Sequence, residues 1–345
     1  MSLFLDAPVP IEDAITFTQQ VPLPSNNQLT AAFPTRTFAT DEIDTAIITQ
    51  TNRAAKFRNW DGNYWVSPRD AGTIKRQRMI ALGGQLGVGE YERREMEFRR
   101  YGGTVQSILV DAIYNDLENL TRYALNRVEL AWGDVLSDGV LTINENGVQQ
   151  QVDYGIPAGN KVTAATLWST VATSTPLTDL VAWYDAYVAL NGAAPGRFLT
   201  SLSVARNLQR NASLINAIKG AQTGVTNVTL EDISGLFNSY GLPPISMDNV
   251  YNSNMDVDGV TTPVLAANKF LFLPDDLGTL GFTAWGTPTT VLELNANNVQ
   301  VGSAAGLIGI IVREDQPPFQ KRTFVDGVVL PVLADPRKIL VATVA

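Results

Sequence analysis

Glycines and carboxylates carry what chemistry this sequence offers, because its 345 residues include no histidine and no cysteine. Without imidazole or thiol there is no Ser-His-Asp triad, no thiolate nucleophile, no disulfide, and no zinc, copper or haem site built on nitrogen or sulfur ligands. What remains is carboxylate, Lys, Tyr or Ser/Lys catalysis, or oxygen-ligated Mg or Ca. The run Gly83-Gly84-Gln85-Leu86-Gly87-Val88-Gly89 invites a phosphate-cradle reading. It fails on context: no buried strand precedes it, no Gly-Lys-Ser/Thr end closes it, and the spacing misses G-x-G-x-x-G, so a glycine hinge is expected instead. Asp256-Val257-Asp258-Gly259 lacks the downstream Glu of a calcium loop, and Asp275-Asp276 follows Pro274 in what reads as a turn. Arg93, Arg94, Arg99 and Arg100 could grip a nucleic acid, yet Glu90, Glu92, Glu95 and Glu97 interleave with them, which describes an ion-paired surface. No residue is assigned to catalysis, metal or cofactor, and no cofactor is expected.

The elements that would position any site follow from charge and periodicity. The net charge of -9 is the wrong sign for a chain whose business is gripping phosphates. Its distribution is uneven. Residues 1–52 hold six acids (Asp6, Glu12, Asp13, Asp41, Glu42, Asp44) and one base, Arg36, among five prolines. Such a stretch is expected to be an extended arm that nucleates no helix and lies on another surface through Phe17, Val21, Phe33, Phe38 and its other apolar residues. Residues 53–100 invert the sign, with eleven Lys/Arg against six Asp/Glu. Asn63–Val66 and Thr73–Ile80 read there as two strands around the turn Ser67–Gly72. A lone ribbon is marginal in water, so it needs another surface, such as another copy of the chain.

The strongest helix signal starts at Thr104: Val105, Ile108, Leu109, Ala112, Ile113, Leu117, Leu120, Ala124, Val128, Ala131 and Val135 recur at helical spacing to a stop at Gly139. Strands 140–143 and 148–154 follow around Asn146-Gly147, then helices 176–191, 203–219 and 231–240, a strand at 264–273, and a strand-rich end. A chain of this length, beyond the roughly 250 residues at which one core tends to split, is expected to form two or more lobes. No apolar run of about 18 residues and no signal peptide is visible, so the expectation is no membrane and synthesis in the cytoplasm. Within the basic segment Trp60, Tyr64 and Trp65, with Arg69, Lys75, Arg76 and Arg78, have the composition of interface anchors.

Certain motifs have a family look: Gly327-Val328-Val329-Leu330-Pro331-Val332-Leu333-Ala334-Asp335-Pro336 with a strand after it, Arg93-Arg94, Val152-Asp153-Tyr154-Gly155, Trp168-Ser169, and Gly281-Phe282-Thr283-Ala284-Trp285-Gly286. With the order of elements, they resemble the HK-97 type viral shell proteins, and more closely the lambda-like phage major capsid protein E family. The resemblance implies an α+β fold divided into an N-arm (1–52), an E-loop (53–90), a P-domain (91–170, with spine helix 104–137 and hairpin 140–154), an A-domain (171–304), P-domain strands and P-loop (305–333), and a C-terminal A-domain strand (334–345). It implies a virion protein without catalysis, whose hexamers and pentamers close an icosahedral shell around double-stranded DNA that is enclosed without specific binding. Its partners would be copies of itself, a separate scaffolding protein, a portal and a decoration protein. The basic E-loop is expected to lie on a neighbour's spine-helix acids, Asp111, Asp116, Glu118 and Glu129. Alternatives are a nanocompartment shell of the same fold and an enzyme using carboxylates or Mg.

Overall fold

The structure, a computed structural model, describes residues 2–3, 9–48, 55–60, 64, 66, 72–88, 105–221, 224–296, 305–313 and 321–345. Strands are numbered β1 to β17 and helices α1 to α8 in chain order. The chain divides into two compact units, Met1–Ile43 with Arg78–Trp132 and Phe282–Val332, and Asp44–Gln77 with Gly133–Gly281 and Leu333–Ala345.

The first unit rests on a six-stranded sheet in the order β1 (Ser2–Leu3), β15 (Ile308–Arg313), β16 (Lys321–Leu333), β14 (Gly281–Gly286), β2 (Thr35–Thr37), with β5 (Ile80–Val88) also paired to β16. The glycine run is therefore not a hinge. It forms strand β5, antiparallel to β16 from Val88 opposite Lys321 to Ile80 opposite Val329. Its glycines keep the strand thin: a Cβ on Gly84 would lie 3.1 Å from Leu120 Cδ2, and one on Gly83 would lie 3.2 Å from the Val325 carbonyl. With so few side chains, β5 shows no alternation that a sequence pattern could register.

The arm also departs from expectation, since it carries helices α1 (Ile11–Gln20) and α2 (Gln28–Ala32). Pro10 sits at the start of α1, where a missing N–H costs nothing, and Pro22 and Pro24 lie beyond its end. Ile11, Ala14, Ile15 and Thr18 are buried at helical spacing, and Ile11 and Ile15 join Val291, Leu294 and Ile308 in one cluster. Val291 and Leu294 come from α8 (Thr289–Ala296). Here Gly309 is obligatory, since a Cβ on it would lie 2.1 Å from Thr18 Oγ1.

The long helix α3 runs from Val105 to Asp138, about 50 Å at 1.5 Å per residue. In the first unit it buries Ile113, Leu117, Leu120, Ala124, Val128 and Trp132, and turns Asn115, Asn119, Arg122 and Tyr123 outward. Gly139 ends it as expected, at φ 79° with its N–H on the Val135 carbonyl.

The second unit centres on a five-stranded sheet, β10 (Val250–Tyr251), β9 (Arg197–Ser201), β13 (Lys269–Leu273), β17 (Leu340–Thr343), β8 (Lys161–Thr163). Around Phe198, Phe270, Phe272, Trp168 and Phe237 it forms one core with α4 (Pro176–Asn191), α5 (Leu202–Arg210), α6 (Ala212–Lys219) and α7 (Leu230–Ser239). The helix expected over 203–219 is two, because buried Asn211 breaks it: its Oδ1 accepts the Leu214 N–H and its Nδ2 donates to Ser174 Oγ. Hairpin β6 (Val140–Glu145) to β7 (Val148–Asp153) turns through Asn146 and Gly147 at φ 46° and 80°. Hairpin β11 (Asn254–Val257) to β12 (Val260–Pro263) turns through Asp258 and Gly259 likewise, and Asp256 Oδ1 accepts the Gly259 N–H, so these acids serve the turn.

Two tyrosines in this unit make stability depend on alkaline pH. Tyr187 donates its hydroxyl to the Lys338 carbonyl at 2.9 Å. Burial, reinforced by Asp335, pushes its pKa up from 10.0 to about 12. Burial also raises that of Tyr154. Their contribution is fully present below the unfolded value near pH 10 and fades as the pH rises through the folded values. Denaturant midpoints followed from about pH 8 to about pH 11 should therefore hold and then fall above about pH 10.

Candidate functional site

The basic excursion is a ribbon of unexpected composition. Its strand β4 (Gly72–Arg78) pairs with β3 (Glu42–Ile48) from the acidic arm. The expected partner segment, 63–66, lies partly outside the described residues, and Tyr64 and Val66 are not in a strand. The turn at 67–71, with Arg69, and also Trp65, lie outside them as well. Alternation along β4 turns Gln77 inward and Arg76 and Arg78 outward. The outward pair meets the arm's own acids: Arg76 Nε lies 3.0 Å from Asp44 Oδ1, and Arg78 Nε 3.6 Å from Asp41 Oδ2. Lys75 Nζ donates to the Asp153 carbonyl at 3.0 Å. The cations expected to reach a neighbour are thus engaged within the chain, in solvent-exposed pairs of the kind worth about 0–1 kcal/mol each.

The aromatics are placed differently. Phe57, Trp60, Tyr64 and Val66 are 107%, 95%, 78% and 85% exposed, with no core of their own. Arg58 holds this segment together, its guanidinium 4.2 Å from the Tyr64 ring centroid and 3.1 Å from its hydroxyl. The expectation named Trp60 and Tyr64 but missed Phe57, Arg58 and Val66. The signal for them was the sequence Phe57-Arg58-Asn59-Trp60, aromatic and cationic without helical or strand periodicity.

Of the spine-helix acids, the side chain of Asp111 lies outside the described residues. Asp116 and Glu118 are half-buried, and Glu118 is ion-paired with Arg122 one turn on. Glu129 must be corrected: it is fully buried and cannot face a neighbour in this conformation. Its Oε1 accepts the Leu29 N–H at 2.8 Å, and its Oε2 accepts the Thr30 N–H and hydroxyl, both at 2.6 Å. The carboxylate caps the arm helix α2, whose first amides have no intrahelical acceptor. One turn along, Phe33 stacks on Trp132 with centroids 3.7 Å apart, and Trp132 Nε1 donates to Thr283 Oγ1. Sequence reasoning placed these acids on one helix but could not tell which side of it met the arm.

Among the described residues, no cluster of three or more acids is arranged to hold a metal ion, and no helix is long and apolar enough to cross a membrane.

The model of the family described as phage major capsid protein E matches residues 14–344. No curated protein matches the chain in sequence. Among solved structures, a protein assigned as the capsid protein of a prophage of E. coli CFT073 aligns over 98% of this chain and 99% of its own, with a TM-score of 0.64 at 14% identity. A phage-related protein of Bordetella bronchiseptica RB50 aligns over 95% of each chain, with a TM-score of 0.56 at 13% identity. The SrpI encapsulin of Synechococcus elongatus PCC 7942 covers 94% of this chain and 90% of its own, at a TM-score of 0.46 and 11% identity. The fold is the α+β, HK-97 type. Matched over nearly its whole length, the chain belongs to the phage major capsid protein E family, and it is a structural subunit of a capsid shell.

Proposed function

We propose that copies of this chain assemble as hexamers and pentamers into an icosahedral shell that encloses double-stranded DNA. The observation that carries this reading is the family match across residues 14–344, which also favours a virion over a nanocompartment. In this assignment residues 1–52 are the N-arm, and the E-loop is shortened from 53–90 to 53–79 because β5 belongs to the six-stranded sheet. Helix α3 is the spine. The A-domain is shortened from 171–304 to 171–280 because β14 and α8 belong with the six-stranded sheet, it includes the strand near 340, and the remainder forms the P-domain. Trp60, Tyr64, Trp65 and Arg69 on the E-loop and Asp111, Asp116 and Glu118 on the spine are the residues offered to neighbouring copies, while Lys75, Arg76 and Arg78 brace the ribbon. The net charge of -9 suits a shell that holds DNA without adhering to it. A separate scaffolding protein, a portal and a decoration protein complete the partners, and synthesis takes place in the host cytoplasm.

Sedimentation of the purified chain with negative-stain microscopy tests the proposal. Rings, tubes or closed shells are expected. A chain that stays monomeric at every salt and protein concentration overturns it.

A further inference from the structure

We infer that the E-loop engages a second copy of this chain through an apolar aromatic knob that Arg58 holds in shape, and that its cationic strand is not what docks. The inference rests on the shell reading above and names the chemistry of that contact. Three large rings and a valine stand almost fully in solvent within ten residues: Phe57, Trp60, Tyr64 and Val66. At about 150–250 Å² per aromatic side chain they offer roughly 450–750 Å². One partner of a standard interface contributes about 800 Å². A patch of this size lies at or above the upper end of the about 300–600 Å² that the largest patch of a monomer commonly covers, where such patches often mark contact sites, and a shell-forming chain has its own copies as the occupants at hand.

Arg58 gives the knob its shape. Besides lying over Tyr64, it donates through Nη2 to the Tyr64 hydroxyl, and through Nη1 to the Trp60 carbonyl at 2.9 Å and the Asn59 carbonyl at 3.3 Å. One side chain thus ties positions 58, 60 and 64 together before any partner arrives, and that order need not be created on docking. Those hydrogen-bond donors are spent on neutral acceptors of the loop itself. Arg76 and Arg78 are engaged with Asp44 and Asp41, so the cations of β4 are likewise occupied within the chain. The matching surface on the second copy is therefore an apolar hollow, and its affinity should depend little on ionic strength.

The absence of cysteine makes a clean test available, because a thiol introduced by Asn59→Cys is unique in the chain. Labelled there with a benzophenone and irradiated, the otherwise wild-type chain should cross-link to another copy of itself. The double variant Phe57→Ser/Trp60→Ser should fold as wild type by circular dichroism yet lose at least about tenfold in assembled material by sedimentation. Arg58→Ala should lose severalfold, and Arg58→Lys should not restore it, since an ammonium lacks the planar fork that reaches three acceptors. Wild-type assembly should survive a rise from about 0.1 to about 1 M NaCl, where the screening length falls to about 3 Å.

Undiminished assembly of the double serine variant, or dissolution of wild-type assemblies by that salt step, overturns the knob and leaves the shell reading standing. Wild-type chain that never assembles nor cross-links overturns both. Binding to phosphatidylglycerol vesicles that the double variant abolishes, without self-cross-linking, assigns the knob to a lipid surface and overturns the second copy as its occupant.

Discussion

Replacing Glu129 with alanine should lower the free energy of unfolding by about 2–4 kcal/mol, a net of opposing terms. Two backbone N–H groups and a hydroxyl lose their acceptor, the Leu29 N–H in a fully buried setting and the two Thr30 donors in a half-buried one. Each buried donor left unmatched costs about 1–3 kcal/mol. Against this, alanine removes a buried charge whose desolvation was itself costly, and it leaves a hollow under α2. The donors outnumber the charge, so destabilisation wins. Glu129→Gln keeps the shape and one acceptor but turns an NH₂ toward an N–H, and its cost should fall between alanine and wild type. Urea unfolding reads the order, and proteolysis reads its location: the arm between residues 21 and 34 should be cut first in the alanine variant. An alanine variant within about 0.5 kcal/mol of wild type would mean that the carboxylate does not hold the arm.

Gly133→Ala should destabilise the protein strongly, against the direction of helix propensity. Alanine in a helix interior is favoured over glycine by about 1 kcal/mol. At position 133 the added Cβ would lie 1.8 Å from the Val264 carbonyl oxygen and 2.6 Å from its carbon. Those atoms are backbone and cannot rotate aside. The Val264 N–H is itself bonded to the Ser253 carbonyl at 3.0 Å, which fixes the base of the β11–β12 hairpin. Helix and hairpin must separate, at a net cost of about 3 kcal/mol or more. Gly235 supplies the opposite sign. It lies within α7, and a Cβ there would meet nothing within 4 Å. Gly235→Ala should therefore stabilise by up to about 1 kcal/mol. Thermal unfolding of the two variants should move in opposite directions, and a Gly133→Ala protein as stable as wild type would refute the close approach.

The spine helix was legible because eleven apolar residues recur at one spacing from Val105 to Val135, a signal that no neighbour can erase. The hairpin turn at Asn146-Gly147 was legible because its backbone needs positive φ. Helix α1 was hidden by its prolines, which are breakers inside a helix and innocuous just outside one. Strand β5 was hidden because its glycines answer to Leu120 and Val325, both distant in sequence. The same distance misplaced Glu129: a hundred residues separate it from Leu29, and an acid on a periodic helix reads alike whether it meets water or an arm. Trp60 and Tyr64 stood out for the opposite reason, as large rings in a segment with no pattern that could bury them.

Strand β17 lies between β13 and β8, so residues 340–343 join the edge strand β8 to the rest of the five-stranded sheet. While the ribosome still holds those residues, β13 lacks one neighbour and β8 has none in that sheet. The second unit can therefore close only after translation has passed residue 343, and a chain that stalls earlier presents an open sheet to the cell's proteases. Routing β8 into the sheet through residues 340–343 makes closure of the second unit depend on that one segment: copies that lack it are withheld from the growing lattice before they can be built in as faults.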